Sequence, residues 1–255
     1  MNTVIVSGLK KRYDGFPAID GVSFSIKMGE VFGLLGPNGA GKTTTIRILS
    51  GLLKPTSGNA LIMGNDVIKK PVEVKKSIGV VPETSNLYPE LTCFDNLVFA
   101  GRLYGMRSKR VKTKADELLE LFGLKEKRNV LFSKLSSGMK RRLTMAASLI
   151  HEPPVLFLDE PTTGLDVMSA RALREIIQSL KQKGITILLT THYIEEADRL
   201  CDRIAIIVKG RIIIIDTPKA LKKSVSAVNP SLEDAFVELT GLKSELMFQE
   251  KEGGR

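Results

Sequence analysis

The stretch Gly36-Pro37-Asn38-Gly39-Ala40-Gly41-Lys42-Thr43 fits G-x-x-x-x-G-K-[ST], the spacing of a phosphate cradle. Its glycines let the backbone curl so that several amides face one point. A helix beginning at its end adds the positive end of a dipole. Lys42 supplies a point charge for the outer phosphates, and the Thr43 hydroxyl is a hard oxygen ligand suited to magnesium. A second group closes the run Val155–Glu160, VLFLDE, in which four apolar residues are followed by two carboxylates. Ligands of open parallel sheets sit beyond the carboxyl ends of the strands. Asp159 is then placed to hold magnesium, directly or through water. Glu160 is placed to orient or deprotonate an attacking water.

A third segment, Leu135–Arg142 or LSSGMKRR, starts a helix that continues as LTMAASLI. Either Ser136 or Ser137 can cap it, because a serine hydroxyl accepts a bond from an orphan amide of the first turn. The same helix end can instead face an anion. His192 closes the apolar run ITILLTTH, where an imidazole reaches the same strand-end region. His151 falls at a helix end and is assigned no chemistry. The two cysteines, Cys93 and Cys201, form no CxxC pair and read as buried thiols of a reducing compartment.

The elements that must hold these groups follow from periodicity. VIVSGL, GVSFSIK and EVFGLLG read as strands, the phosphate loop follows, and TTTIRILSGL reads as a helix. NALIMG and IGVVPE are further short strands. From about Leu91 to Ile150 the spacing is helical throughout. PVLFLDE then returns to a buried strand, VMSARALREIIQSLKQKG is a helix stopped at Gly184, ITILLTTH is a strand and YIEEADRL a short helix. RIAIIV and RIIIID form a strand pair across Lys209-Gly210. Strands alternating with helices imply an α/β fold with a mostly parallel sheet covered on both faces, and the first strands form an antiparallel side-sheet. The expected division is a core carrying the phosphate loop and strand-end acids at 1–87 and 151–216, a helical subdomain at 88–150, and a short helical tail at 217–255. The last residues, KEGGR, read as frayed.

The bulk numbers restrict function. The formal charge is +10, and Ser108–Arg142 holds eleven Lys/Arg against four Asp/Glu. That stretch is a solvated face, or it meets an anionic membrane surface or nucleic acid. Trp is absent and aromatics make up 5% of residues, which argues against base-stacking platforms. The opening MNTVIVSGLKKRYDG does not read as a signal peptide. No segment approaches the roughly 20 apolar residues that span a bilayer. A soluble chain that reaches a membrane only through a partner is expected.

Taken in order, Tyr13, GPNGAGKTT, VVPE, LSSGM, VLFLDEPTTGLD and TTH resemble the nucleotide-binding subunit of ABC transporters, from about Val4 to Asp216. The resemblance implies a RecA-like P-loop NTPase fold and an ATPase using ATP and Mg2+. Two subunits would pack head to tail, each ATP clamped between one phosphate loop and the opposite LSSGM. It implies that Gly36, Pro37, Asn38, Gly39, Ala40, Gly41, Lys42, Thr43 and Thr44 hold the phosphates. Tyr13 would stack on adenine, and Ser136, Ser137 and Gly138 would meet the partner's ATP. Thr43, Asp159 and Glu83 would serve magnesium, Glu160, His192 and Glu83 would act in catalysis, and Asp166 would bridge subunits while also serving as a helix N-cap.

The chain departs from the family pattern at Ser137 and Met139, where glycine and glutamine are usual, and at Glu83, usually glutamine. A glutamate keeps an acceptor oxygen but loses the amide donors. The implied partners are a polytopic membrane permease, whose coupling helix would enter a groove near Glu83 to Asn96, and a second nucleotide-binding subunit. The implied location is the cytoplasmic face of the membrane. The tail SLEDAFVELTGL and VPE resemble export-type subunits; an importer subunit is the alternative. A soluble ATPase acting on nucleic acid or ribosomes is a further alternative, but such proteins commonly carry paired ATPase units, a coiled coil or zinc motifs, so no nucleic acid is expected.

Overall fold

The computed structural model describes residues 1–225 and 229–241. The terminal KEGGR, expected to fray, lies outside the described residues. Alternating apolar residues make β1 (Asn2–Tyr13), which buries Val4, Val6 and Leu9, and β2 (Phe16–Lys27), which buries Ile19, Val22, Phe24 and Ile26. Asp14 and Gly15 join them with positive φ at both positions, the backbone that a two-residue hairpin of matching twist requires. β1 also pairs with β4 (Ser57–Ile62), and β4 with β5 (Asn65–Asp66), giving an antiparallel sheet ordered β2-β1-β4-β5.

The second sheet has the order β10-β9-β3-β8-β7-β6. Its strands are β3 (Val31–Leu35), β6 (Ile78–Val81), β7 (Val155–Asp159), β8 (Thr186–Thr191), β9 (Arg203–Val208) and β10 (Arg211–Asp216). All neighbours run parallel except β9 and β10. Every residue of β3, β7 and β8 is buried, as expected for strands covered on both faces. Helix α1 (Lys42–Leu49) follows β3, α2 (Pro71–Ser77) precedes β6, α6 (Val167–Gln182) links β7 to β8, and α7 (Ile194–Leu200) links β8 to β9. The fold is therefore α/β, with a mostly parallel sheet and an antiparallel side-sheet.

The helical stretch is α3 (Cys93–Leu103), α4 (Ser108–Leu121) and α5 (Ser137–Ser148), closed at its base by a lone bridge between Thr92 and Leu131. The tail adds α8 (Pro218–Lys223) and α9 (Leu232–Thr240), the latter started by a reciprocal Ser231–Asp234 capping box. One core cluster fills the space between the two sheets, where the Phe24 and Phe32 rings stack at 5.1 Å. The other joins the helical stretch to the sheet through Leu143, Ala146 and Leu158. Truncating a fully buried ring such as Phe32 would cost about 3–5 kcal/mol. No helix among the described residues is long and apolar enough to cross a membrane.

Candidate functional site

β3 delivers the chain, fully buried, into the glycine loop. The Gly36 amide donates to the Thr191 carbonyl at 3.3 Å, and a Cβ there would stand 2.1 Å from the Ile207 carbonyl oxygen. Only glycine fits. Gly41, at φ 104°, caps α1 without a side-chain bond, and its missing Cβ leaves room for the Ala18 carbonyl of β2. Among the described residues, the amides of Gly39, Gly41, Lys42 and Thr43 donate to no protein acceptor. Four donors at the positive end of a helix are what a phosphate chain requires.

Lys42 is buried and folds back over this loop. Its Nζ donates to the carbonyls of Gly36 at 2.8 Å and Pro37 at 3.1 Å, and pairs with Glu160 Oε1 at 3.0 Å. A buried ammonium needs such partners to offset desolvation.

At the end of β7, Asp159 Oδ1 accepts bonds from Thr43 Oγ1 at 3.2 Å and Thr190 Oγ1 at 2.6 Å. These oxygens test the fit of magnesium. Among the described residues no three His, Cys, Asp or Glu side chains gather into a cage. Mg2+ commonly takes one or two carboxylate or hydroxyl ligands and fills its octahedron with phosphate oxygens and water, which suits Thr43 and Asp159.

Glu160 turns the chain sharply, at φ 48°, a left-handed conformation costing a non-glycine residue about 1–3 kcal/mol. Its amide is pinned by the carbonyl and hydroxyl oxygens of Thr190, each at 3.1 Å. One carboxylate oxygen meets Lys42. The other meets His192 Nδ1 at 2.8 Å and Thr163 Oγ1 at 3.3 Å. Burial pushes this carboxyl up, but the His192 hydrogen bond and the Lys42 charge outweigh it and hold the group below its ordinary range. Glu160 is therefore ionised and can only accept, so His192 Nδ1 carries the proton between them.

The remaining expected residues lie around this centre. Tyr13 ends β1, 44% exposed, with the Lys11 ammonium 5.2 Å from its ring. Glu83 is exposed just beyond β6, and its backbone carbonyl accepts from Arg141 at 3.0 Å. Ser136 is the N-cap of α5 and accepts from the Met139 amide at 3.4 Å; Ser136 and Ser137 are exposed. Among the described residues, no hydrogen bond or ion pair joins residues 136–138 to residues 36–44. Asp166 caps α6 by accepting from the Ser169 amide at 2.9 Å and hydroxyl at 2.7 Å. Gly138 is buried, and a Cβ there would lie 2.3 Å from Ser169 Oγ. His151, given no chemistry, bonds the Ile78 carbonyl at 3.0 Å and stacks on Tyr104 at 3.6 Å.

Two contributors escaped the sequence reading. Thr190 donates to Asp159 while its hydroxyl accepts from the Glu160 amide, so one side chain spaces both carboxylates. Its signal was present in TTH, where the residue two before His192 shares its face of the strand. Arg141, on α5, is buried and bonds the backbone beside both carboxylates. Within MKRR it read as one more surface cation.

The ABC transporter family pattern matches residues 19–163. The daunorubicin/doxorubicin resistance ATP-binding protein DrrA of Streptomyces peucetius is 46% identical over 221 residues, 87% of this chain and 67% of that protein. The probable multidrug ABC transporter ATP-binding protein YbhF of Escherichia coli is 42% identical over 91% of this chain, but the match spans only 40% of that longer protein. A solved structure described as a dimeric post-hydrolysis state of an ATP-binding cassette bound to ADP and Pi superposes with a TM-score of 0.76. It is 27% identical, with 84% of this chain and 98% of that chain covered. With the phosphate loop, strand-end carboxylates and histidine assembled as described, the chain belongs to the ABC transporter family as one of its ATP-binding, ATP-hydrolysing subunits.

Proposed function

We propose that this chain powers export by a separate membrane permease, closing on a second subunit around two Mg-ATP and opening after hydrolysis. The observation carrying this reading is the exposed, serine-capped start of α5, which among the described residues forms no hydrogen bond or ion pair with its own phosphate loop. A helix N-terminus so presented stabilises an anion by about 0.3–1 kcal/mol, and up to about 2 when partly buried. A second chain's ATP is the anion that the family resemblance supplies. Val167 and Met168, 79% and 71% exposed beside Asp166, offer apolar surface for the same contact.

In each site Lys42 and the loop amides would hold the phosphates, with Thr43 and Asp159 holding magnesium. Glu160 would orient or deprotonate water. With Nδ1 committed to Glu160, His192 would turn Nε2 to the terminal phosphate. The permease would dock in a groove of about 660 Å³ between α2 and the helical stretch, rimmed by Leu52, Val72, Tyr88, Phe99 and Leu103. Exposed apolar side chains around a groove suit an amphipathic helix. Export is favoured because the DrrA and YbhF relatives are named for drug resistance and multidrug transport.

Light scattering on Glu160→Gln tests the reading. Mg-ATP should double its mass, and adding Ser136→Arg should return it to the monomer. A chain that binds ATP yet stays monomeric would sink the sandwich.

A further inference from the structure

Arg141 sits one turn into α5 and is almost fully buried, yet among the described residues it forms no ion pair with a carboxylate. Its guanidinium instead donates to five backbone carbonyls. Nε bonds Pro161 at 2.8 Å. Nη1 bonds Pro82 and, at 3.0 Å, Glu83. Nη2 bonds Asp159 at 2.6 Å and Glu160 at 2.9 Å. Three segments far apart in sequence thus meet on one planar fork: the helix whose exposed start is Ser136, the turn carrying Glu83, and the strand end carrying both acids. Burial lowers the guanidinium's proton affinity while Asp159, Glu83, Glu196 and Glu160 oppose it, so the charge is kept by surrounding acids rather than by one ion pair.

The anchoring is asymmetric. Glu160 stands in a left-handed conformation on the bonds of Thr190 and Arg141, and the Glu83 carboxylate is exposed. A small rotation of α5 would therefore move the carbonyls of Glu160 and Glu83 together, because packed elements shift as bodies. The apolar packing of Leu143 and Ala146 toward Val81 and Leu158 also joins α5 to the sheet but carries no directional bond to these carbonyls, and a lysine would not replace the fork. An ammonium is a point with three donors, whereas the fork spreads five across a plane.

We propose that Arg141 is a positioning residue that links the two ATP sites. When a partner's nucleotide engages the start of α5, the guanidinium carries the displacement to the chain's own Glu160 and Glu83. This rests on the head-to-tail dimer reading above for what engages Ser136.

The test is ATP hydrolysis by the full chain across ATP concentrations, with Arg141→Gln and Arg141→Lys. The parent should show a Hill coefficient above one. Both variants should fall to one, with kcat lower on the order of a hundredfold, as small misplacements of catalytic groups allow, and unchanged ATP affinity of the monomer. A parent without cooperativity, or folded variants that keep its coefficient and kcat, overturns the proposal.

Hydrogen exchange gives a second test without touching Arg141. In Glu160→Gln, Mg-ATP should protect the amides of Glu83 and Thr84, and adding Ser136→Arg should remove that protection while ATP stays bound. Equal protection in both chains overturns the linkage. An absent ATP-dependent dimer in Glu160→Gln alone counts against the dimer reading, a separate result.

Discussion

His192 Nδ1 donates to Glu160 Oε2 across 2.8 Å, and with the Lys42 ammonium on the other oxygen it keeps that buried carboxylate ionised. Burial acts upward on this carboxyl and the two partners act downward, with a net depression. A depressed folded-state pKa gives stability that is present above the ordinary carboxylate value and lost as pH falls through the folded value. Removing His192 deletes the largest downward contribution and leaves burial in place. His192→Ala should therefore move the acid limb of the kcat–pH profile to higher pH and lower the melting temperature near neutrality. An acid limb that stays put while kcat falls would confine His192 to the nucleotide and remove it from control of Glu160.

Gly138 illustrates a site residue with a second duty. A Cβ at this position would meet the Ser169 side chain, itself tied to Asp166, at 2.3 and 2.7 Å. The start of α5 packs against the start of α6 only because that atom is missing. Overpacking of this kind costs typically about 1–3 kcal/mol, so Gly138→Ala should lower Tm by roughly 2–10 °C before any nucleotide is added. Ser169→Ala removes the nearer atom and should restore part of the loss. Additive losses in the double mutant would show that the two side chains do not compete for space.

The sequence made the phosphate loop, the strand-end acids and the strand–helix alternation legible because each is local. Gly36 to Thr43 are consecutive, and Asp159 and Glu160 end an apolar run whose burial its composition dictates. The TTH triplet suggested His192 but not its partner, since the 2.8 Å bond to Glu160 exists only once β7 and β8 lie side by side. Arg141 was hidden for the same reason: all five of its acceptors come from two strand ends, and backbone carbonyls leave no mark on residue type. Helix α2 was missed because PVEVKKS is short and nearly alternates, with only Val74 buried.

Glu83 can be tested against the glutamine usual in the family. Its side chain is exposed and makes no hydrogen bond among the described residues, while Arg141 fixes its backbone. The carboxylate is thus free to reach magnesium or its water. Glu83→Ala should lower kcat by about tenfold or more, as loss of a supporting metal contact typically does, and weaken magnesium affinity. Glu83→Gln keeps one acceptor oxygen and removes a negative charge beside the phosphates, so it should retain most activity. Parental hydrolysis and magnesium affinity in Glu83→Ala would withdraw the residue from the site.

The basic surface bears on the proposed docking of a permease. Two runs distant in sequence, Lys69–Lys76 and Arg102–Lys114, hold four and six Lys/Arg with Glu73 as their single acid. The fold brings them together. Lys76 lines both the apolar groove and the neighbouring surface of Arg107, Lys109 and Arg110. Arg110 and Lys114 pair with Glu152, whereas Arg107 and Lys109 make no ion pair among the described residues. Cations beside a permease groove would face anionic headgroups, where each is worth about 1 kcal/mol near the surface. Arg107→Glu with Lys109→Glu should therefore cut partitioning onto phosphatidylglycerol vesicles by about tenfold or more, and added salt should abolish binding to the parent. Phosphatidylcholine vesicles should bind neither. The exposed pair Lys219 and Lys223, reversed in the same way, changes net charge equally on a surface beside Asp198 that shares no residue with the groove or its basic neighbour. If that control loses as much binding, net charge alone drives the attraction and the groove-side patch has no special part in it.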